Sequence, residues 1–251
     1  MTTKFRALQF LVTSVIIVFL HLPFLFATPS KGLKKDRAVM IPDSSVTGQE
    51  PGTFTGPGSV SVYDSLHLDR TGLSREAFEL ACLGFDQLRQ SGKLRNDSLI
   101  SIADFSQPSS RKRLFIIDLK NYRLLFNTLV SHGRNTGREM ANVFSNRHAS
   151  YQSSPGFYVT AETYNGSNGY SLKLEGMEKG INDNAYNRGI VIHGAAYVNQ
   201  SLANAQGYIG RSQGCPAVPE KWSGPIINTI KQGSCLFIYH PSYVNQSDLL
   251  N

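Results

Sequence analysis

Apolar positions first recur at helical spacing between Ser74 and Ser91, where Phe78, Ala81, Cys82, Phe85 and Leu88 fall on one face of a 3.6-residue repeat. Ser74 is a good N-cap, Glu76 suits the positive first turn, and Ser91-Gly92 is a stop signal. The spacing predicts a helix with Cys82 in its buried face, and Gly84 makes its length less certain than its existence. From about residue 99 the pattern changes to short apolar runs separated by turn residues. Residues 114–119, a turn at Asn121, and residues 124–130 read as a hairpin, and 157–163, 171–174, 189–193 and 235–239 read as further strands. Gly- and Asn-rich stretches at 165–169 and 180–188 are loops. A short helix opened by Pro225 and running to about Lys231 is expected before Gly233. The sum is a mainly β domain with a few helices.

The N-terminus does not share this texture. Lys4 and Arg6 precede an uncharged, mostly apolar run over residues 7–27, the layout of an export signal. No Ala-x-Ala precedes Thr28, and the run approaches the length of a membrane span. Residues 1–27 are therefore expected as a cleaved signal peptide or a retained N-terminal anchor. Either places the globular part outside the cytoplasm, in the periplasm or cell envelope. Membrane contact would be confined to residues 7–27, if uncleaved. Residues 28–65, rich in Ser, Thr, Gly and Pro, read as a flexible linker. Residues 66–98 form a helical N-terminal segment, and 99–251 form the main domain.

Fourteen Phe and eleven Tyr exclude a disordered chain. The net charge is +7, and 23 basic against 18 acidic residues remain, +5, once residues 1–27 are set aside. That suits an anionic matrix, while the absence of a dense Lys/Arg stripe speaks against nucleic acid as a partner. Three cysteines, Cys82, Cys215 and Cys235, are an odd number, so an exported chain keeps at least one sulfur unpaired internally.

Two segments carry candidate chemistry: Ile190-Val191-Ile192-His193-Gly194-Ala195 and Gly210-Arg211-Ser212-Gln213-Gly214-Cys215-Pro216. The first is an apolar strand ending in a histidine. The second sets a cysteine among small residues that let backbone approach a substrate closely. A thiol with an ordinary pKa of about 8.5 is only slightly ionised at neutral pH, and a neighbouring imidazole supplies the missing base. The backbone N–H groups of Gly214 and Cys215 are candidate donors to a tetrahedral oxyanion, and Ser212 is a candidate to orient the imidazole. Taken singly, each feature also has a structural reading: a strand-end histidine, a core thiol, an ordinary Gly-Cys-Pro turn.

The chain resembles the murein L,D-transpeptidase catalytic-domain family, whose signature is a histidine followed downstream by Ser-x-Gly-Cys. The resemblance spans roughly residues 99–240. It includes Ser131-His132-Gly133, Ser153-Ser154-Pro155-Gly156-Phe157, Leu172-Lys173-Leu174-Glu175-Gly176, Asn182 to Arg188, both segments above, and Cys235-Leu236-Phe237-Ile238-Tyr239. It implies a mixed β-sandwich or barrel, with Cys215 as nucleophile, His193 as general base, and Ser212 and Gly214 in support. Arg211, Gln213, Gly194 and His132 would line the substrate groove. Gln213 stands where many members have a second histidine. The implied acyl donor is a peptidoglycan tetrapeptide stem that loses its terminal D-Ala. The implied acceptor is an amine on another stem or on a wall-anchored protein. No metal and no organic cofactor is implied.

Two other functions use the same features. Water as acceptor would make the protein an L,D-carboxypeptidase or related hydrolase. A decayed site would leave a wall-binding module. A Cys215–Cys235 disulfide would also abolish catalysis, whereas a Cys82–Cys235 pair would leave Cys215 free.

Overall fold

The computed structural model describes residues 62–251. The expected signal or anchor and nearly all of the expected linker lie outside the described residues. The linker expectation needs one correction at its end. Val62 and Tyr63 are buried in the same core as the main domain, so the folded unit begins no later than Val62.

Among the described residues, a one-turn helix α1 (Leu68–Thr71) and a long helix α2 (Arg75–Gln90) precede the strands. α2 begins where the sequence predicts: the Ser74 side chain accepts a hydrogen bond from the Ala77 N–H at 3.1 Å. Eight strands follow, β1 (Leu99–Asp104), β2 (Leu114–Asp118), β3 (Arg123–Thr128), β4 (Gly156–Gly166), β5 (Gly169–Gly176), β6 (Val191–Gly194), β7 (Ala217–Val218) and β8 (Cys235–Tyr239). Helix α3 (Gln200–Gln206) lies between β6 and β7, α4 (Glu220–Ile230) between β7 and β8, and a 3-10 helix (Pro241–Gln246) follows β8.

All eight strands form one mixed sheet in the order β3-β2-β1-β8-β4-β5-β6-β7. The β1–β8 and β6–β7 pairs are parallel, and the others are antiparallel. Alternate residues of the central strands feed two cores, as the two-residue period of a strand requires. Ile100, Ile102, Phe115, Phe157 and Phe237 meet Phe78, Cys82 and Phe85 of α2 on one face. Leu114, Ile116, Tyr158, Leu236 and Ile238 meet Ile226, Ile227 and Ile230 of α4 on the other. Because both faces are covered, β1 is buried throughout rather than alternating.

Gly84 explains how α2 sits so close. A Cβ there would lie 2.1 Å from the Phe157 ring, so the missing side chain is what admits the ring. The same ring stacks on Phe237 with centroids 4.2 Å apart. α2 therefore belongs to the sheet's core and does not form a separate segment.

Beyond β3 the chain turns along the far edge of the sheet. Ser131 N donates to Ala217 O at 2.9 Å, Ser212 N to His132 O at 3.0 Å, and Arg134 N to Ser212 O at 2.8 Å. A parallel bridge joins Gly133 to Ser212. Since β3 and β7 are the two ends of the sheet, these bonds bring the ends together and nearly close it. The expected mainly β, barrel-like architecture with a few flanking helices holds.

One helix boundary differs from expectation. α4 starts at Glu220, so Pro225 sits inside the helix and does not open it. Trp222 N and Ser223 N both bond to Pro219 O, which sets the first turn. An interior proline removes one backbone bond, a penalty of about 3 kcal/mol. Burial of Ile226, Ile227 and Ile230 opposes it.

Candidate active site

The seam where the sheet closes holds a cavity of about 790 Å³. His193 and Cys215 both line it. β6 delivers the histidine. Val191 and Ile192 fix the strand in the core, and His193 lies between Ser171 of β5 and Ala217 of β7 in the register. His193 is 5% exposed. Its Nδ1 lies 2.9 Å from the Gly194 carbonyl oxygen. A carbonyl only accepts, so Nδ1 carries the proton and Nε2 keeps a free lone pair. Burial lowers the pKa of His193 below its ordinary 6.5, against the opposing pull of the Gly194 carbonyl.

The cysteine is held by a tightly bonded turn. Ser212 Oγ donates to Cys215 O at 2.7 Å and accepts from Gly214 N at 3.0 Å. Ser153 Oγ donates to Gly214 O at 3.0 Å and accepts from Gly133 N at the same distance. Gly214 has φ 126°, and a Cβ on it would lie 2.8 Å from Gln152 O, so the position demands glycine. Cys215 is 9% exposed, with Sγ 3.7 Å from Gly189 O. Burial raises its thiol pKa, while the Val191 N–H and the Arg188 charge pull it back down.

Two expected roles change. Ser212 does not orient the imidazole, because both bonds of its hydroxyl go to the backbone of the cysteine turn; the Gly194 carbonyl takes the orienting place. Gly214 N–H is committed to Ser212 Oγ and is not free for an oxyanion, which leaves the Cys215 N–H as the candidate donor.

The other predicted residues divide cleanly. Gly194, Arg211 and Gln213 line the cavity. His132 does not. It is fully buried behind the seam, with Nδ1 2.7 Å from Arg113 Nη2 and Nε2 3.2 Å from Gly137 O. Arginine can only donate, so Nδ1 accepts and Nε2 donates. Burial and the Arg113 charge push the His132 pKa down to about 3, fixing it as a neutral structural group. His148 is exposed and also lines the cavity.

Arg188, which closes a block of the family resemblance, has a role at the site that the sequence did not assign. Its Nη1 donates to Ser145 O at 2.8 Å and Ser154 Oγ at 2.6 Å, and its Nη2 donates to Ser150 Oγ at 3.2 Å and to Gln152 O. A single guanidinium thus fastens the 145–154 loop beside the cysteine turn. Its sequence signals are its place at the end of the Asn182–Arg188 block of the family resemblance and its adjacency to Gly189, just before the histidine strand.

All three cysteines are free thiols. Cys82 and Cys235 are buried in the α2-side core, and burial raises both pKa values. Cys215 belongs to the opposite core, so the fold separates it from Cys235.

A sequence profile of the L,D-transpeptidase catalytic domain matches residues 69–239. The chain belongs to the L,D-transpeptidase catalytic-domain family. The match begins within α1, some thirty residues before the resemblance read from the sequence, consistent with α2 being part of the domain's core. Membership supports a peptidoglycan-modifying role. Among solved structures, an L,D-transpeptidase from Mycobacterium smegmatis is 11% identical, with TM-score 0.36, covering 57% of this chain and 59% of its own. The helical cell shape determining protein Pgp2 from Campylobacter jejuni is 12% identical, with TM-score 0.38, covering 57% and 48%. An L,D-transpeptidase from Stackebrandtia nassauensis is 12% identical, with TM-score 0.35, covering 79% and 98%. The chain thus spans about three-fifths of the mycobacterial L,D-transpeptidase. No curated protein sequence matches it.

Proposed function

We propose that the protein is an exported L,D-transpeptidase, a cysteine acyltransferase acting on peptidoglycan tetrapeptide stems in the periplasm or cell envelope. The observation that carries this reading is the shared cavity: Cys215 and His193 face the same space, with the imidazole held so that Nε2 is its free base.

Burial keeps both groups neutral at rest, since it raises the thiol pKa and lowers that of the imidazole. The reaction then begins with proton transfer. His193 Nε2 takes the Cys215 proton as Sγ attacks the carbonyl before the terminal D-Ala. The Cys215 N–H is the nearest backbone donor to the developing oxyanion. The tetrahedral adduct collapses to a thioester, and His193 returns the proton to the departing D-Ala amine. An acceptor amine on a second stem or a wall-anchored protein attacks the thioester, His193 takes its proton, and the C–S bond breaks as His193 passes that proton to the departing Cys215 sulfur. The Gly194 carbonyl steadies the imidazolium in both half-reactions, as the carboxylate does in a serine triad.

Incubation of the protein with purified tetrapeptide stems, with products resolved by mass, tests the acceptor. Cross-linked dimers are expected. Tripeptide alone would make water the acceptor and the protein a carboxypeptidase. Unchanged substrate, with Cys215 unreactive toward a thiol reagent in the folded protein, would leave a wall-binding module.

A further inference from the structure

Three guanidinium-bearing residues line the cavity: Arg134, Arg188 and Arg211. Arg188 is spent on the 145–154 loop. Arg134 and Arg211 have no acidic partner: the ion pairs among the described residues are Arg75–Asp64, Arg89–Asp86 and Lys173–Glu162. Both are nevertheless held in place. Arg211 Nη1 donates to Arg134 O and Gly137 O, each at 3.2 Å. The Arg134 guanidinium lies over the Tyr151 ring, 3.9 Å from its centroid. Tyr151 is itself tied to the 131–135 segment by its carbonyl, which accepts from Asn135 N at 3.1 Å.

The cavity's acidic lining residue, Glu220, comes from the opposite side. A Cβ on Gly194 would lie 3.2 Å from Glu220 Cα, so the acid stands at the histidine end. The Arg134–Arg211 end is therefore cationic without local neutralisation. Arginine forks match a carboxylate through two parallel bonds, and an arginine already fixed by its surroundings loses little freedom in making them.

We propose that Arg134 and Arg211 form a carboxylate-binding subsite beside Cys215, which takes a carboxylate of the acyl-donor stem peptide. The inference rests on the acyl-donor reading above. A tetrapeptide stem offers two such groups near the scissile bond, the terminal carboxylate of D-Ala and the side-chain carboxylate of the diamino acid. Either supplies the same chemistry.

The test is equilibrium binding to the Cys215→Ala protein, which needs no turnover. Three ligands are compared: free tetrapeptide, its C-terminal amide, and its diamino-acid side-chain amide. One of the amides is expected to bind roughly tenfold or more weaker than the free peptide, which identifies the carboxylate. Adding Arg134→Gln and Arg211→Gln should weaken the free peptide to the level of that amide and abolish the difference. Adding Arg134→Lys and Arg211→Lys should restore part of it. Two results overturn the subsite: both amides binding as tightly as the free peptide, or a difference that survives the glutamine changes. Discrimination in binding by Cys215→Ala, with no turnover of the tetrapeptide by the unaltered protein, would sink the acyltransferase reading and leave the subsite standing.

Discussion

Ser212 is the residue on which the geometry of the nucleophile turns most directly. Its hydroxyl bonds Cys215 O and Gly214 N together, so Ser212→Ala leaves a buried N–H without its partner. That unpaired N–H costs about 1–3 kcal/mol of stability and should lower the melting temperature by a few degrees, and the loosened turn should lower kcat on tetrapeptide by about tenfold or more. An unchanged kcat would remove Ser212 from the machinery. Arg188 supports the sulfur by charge as well as by loop anchorage. Arg188→Gln should move the pH profile of Cys215 alkylation to higher pH, and Arg188→Lys should recover part of the shift; a profile that stays in place would limit Arg188 to anchorage. His193 acts as a base only when neutral, and burial lowers its pKa, so the acid limb of the pH–activity profile should lie below the ordinary imidazole range; a limb at or above that range would contradict it. The residue types of this site were legible in the sequence, because a strand-end histidine and a small-residue cysteine turn are local patterns. The partners were not. Ser153 and Arg188 come beside the cysteine turn only through folding, and sequence spacing does not reveal that Ser212 points into its own turn.

Among the elements, α2 was the most readable, since cap, apolar stripe and stop all agree. Its one discordant residue, Gly84, is explained by Phe157. In an exposed helix Gly→Ala stabilises by about 1 kcal/mol. Here the added methyl meets the ring, so Gly84→Ala should destabilise by about 1–3 kcal/mol in a urea titration. A stabilised variant would mean that Phe157 repacks freely. Besides the 3-10 helix after β8, three elements escaped the pattern for different reasons. β1 is buried on both faces and shows no alternation. β7 has two residues and exists only because β6 lies beside it. α3 has a single buried residue, Ala203, so no apolar stripe marks it; its Asn199 cap, accepting from Leu202 N at 2.8 Å, was the available signal.

For the molecule as a whole, the mainly β class was readable from strand-length runs, whereas near-closure of the sheet depends on the 131–134 segment, which carries no strand pattern. That seam holds the buried His132, and acid should open it. Its folded pKa of about 3 lies below the ordinary 6.5, so the unfolded chain binds a proton that the folded one refuses. Stability from this group is complete above pH 6.5 and falls by about 1.4 kcal/mol per unit as pH drops toward 3. His132→Gln keeps an acceptor for Arg113 and does not titrate, so its unfolding free energy should vary less steeply over that range. An equal slope would assign the acid lability elsewhere. The two α2-side thiols are inert by burial, which leaves Cys215 as the one sulfur facing the cavity. Release of D-Ala from purified tetrapeptide stems, followed for the unaltered protein and for Cys215→Ala, tests that sulfur's role. Release by the first and none above background by the second is expected. Comparable release by both proteins would contradict it, as would no release by the unaltered one.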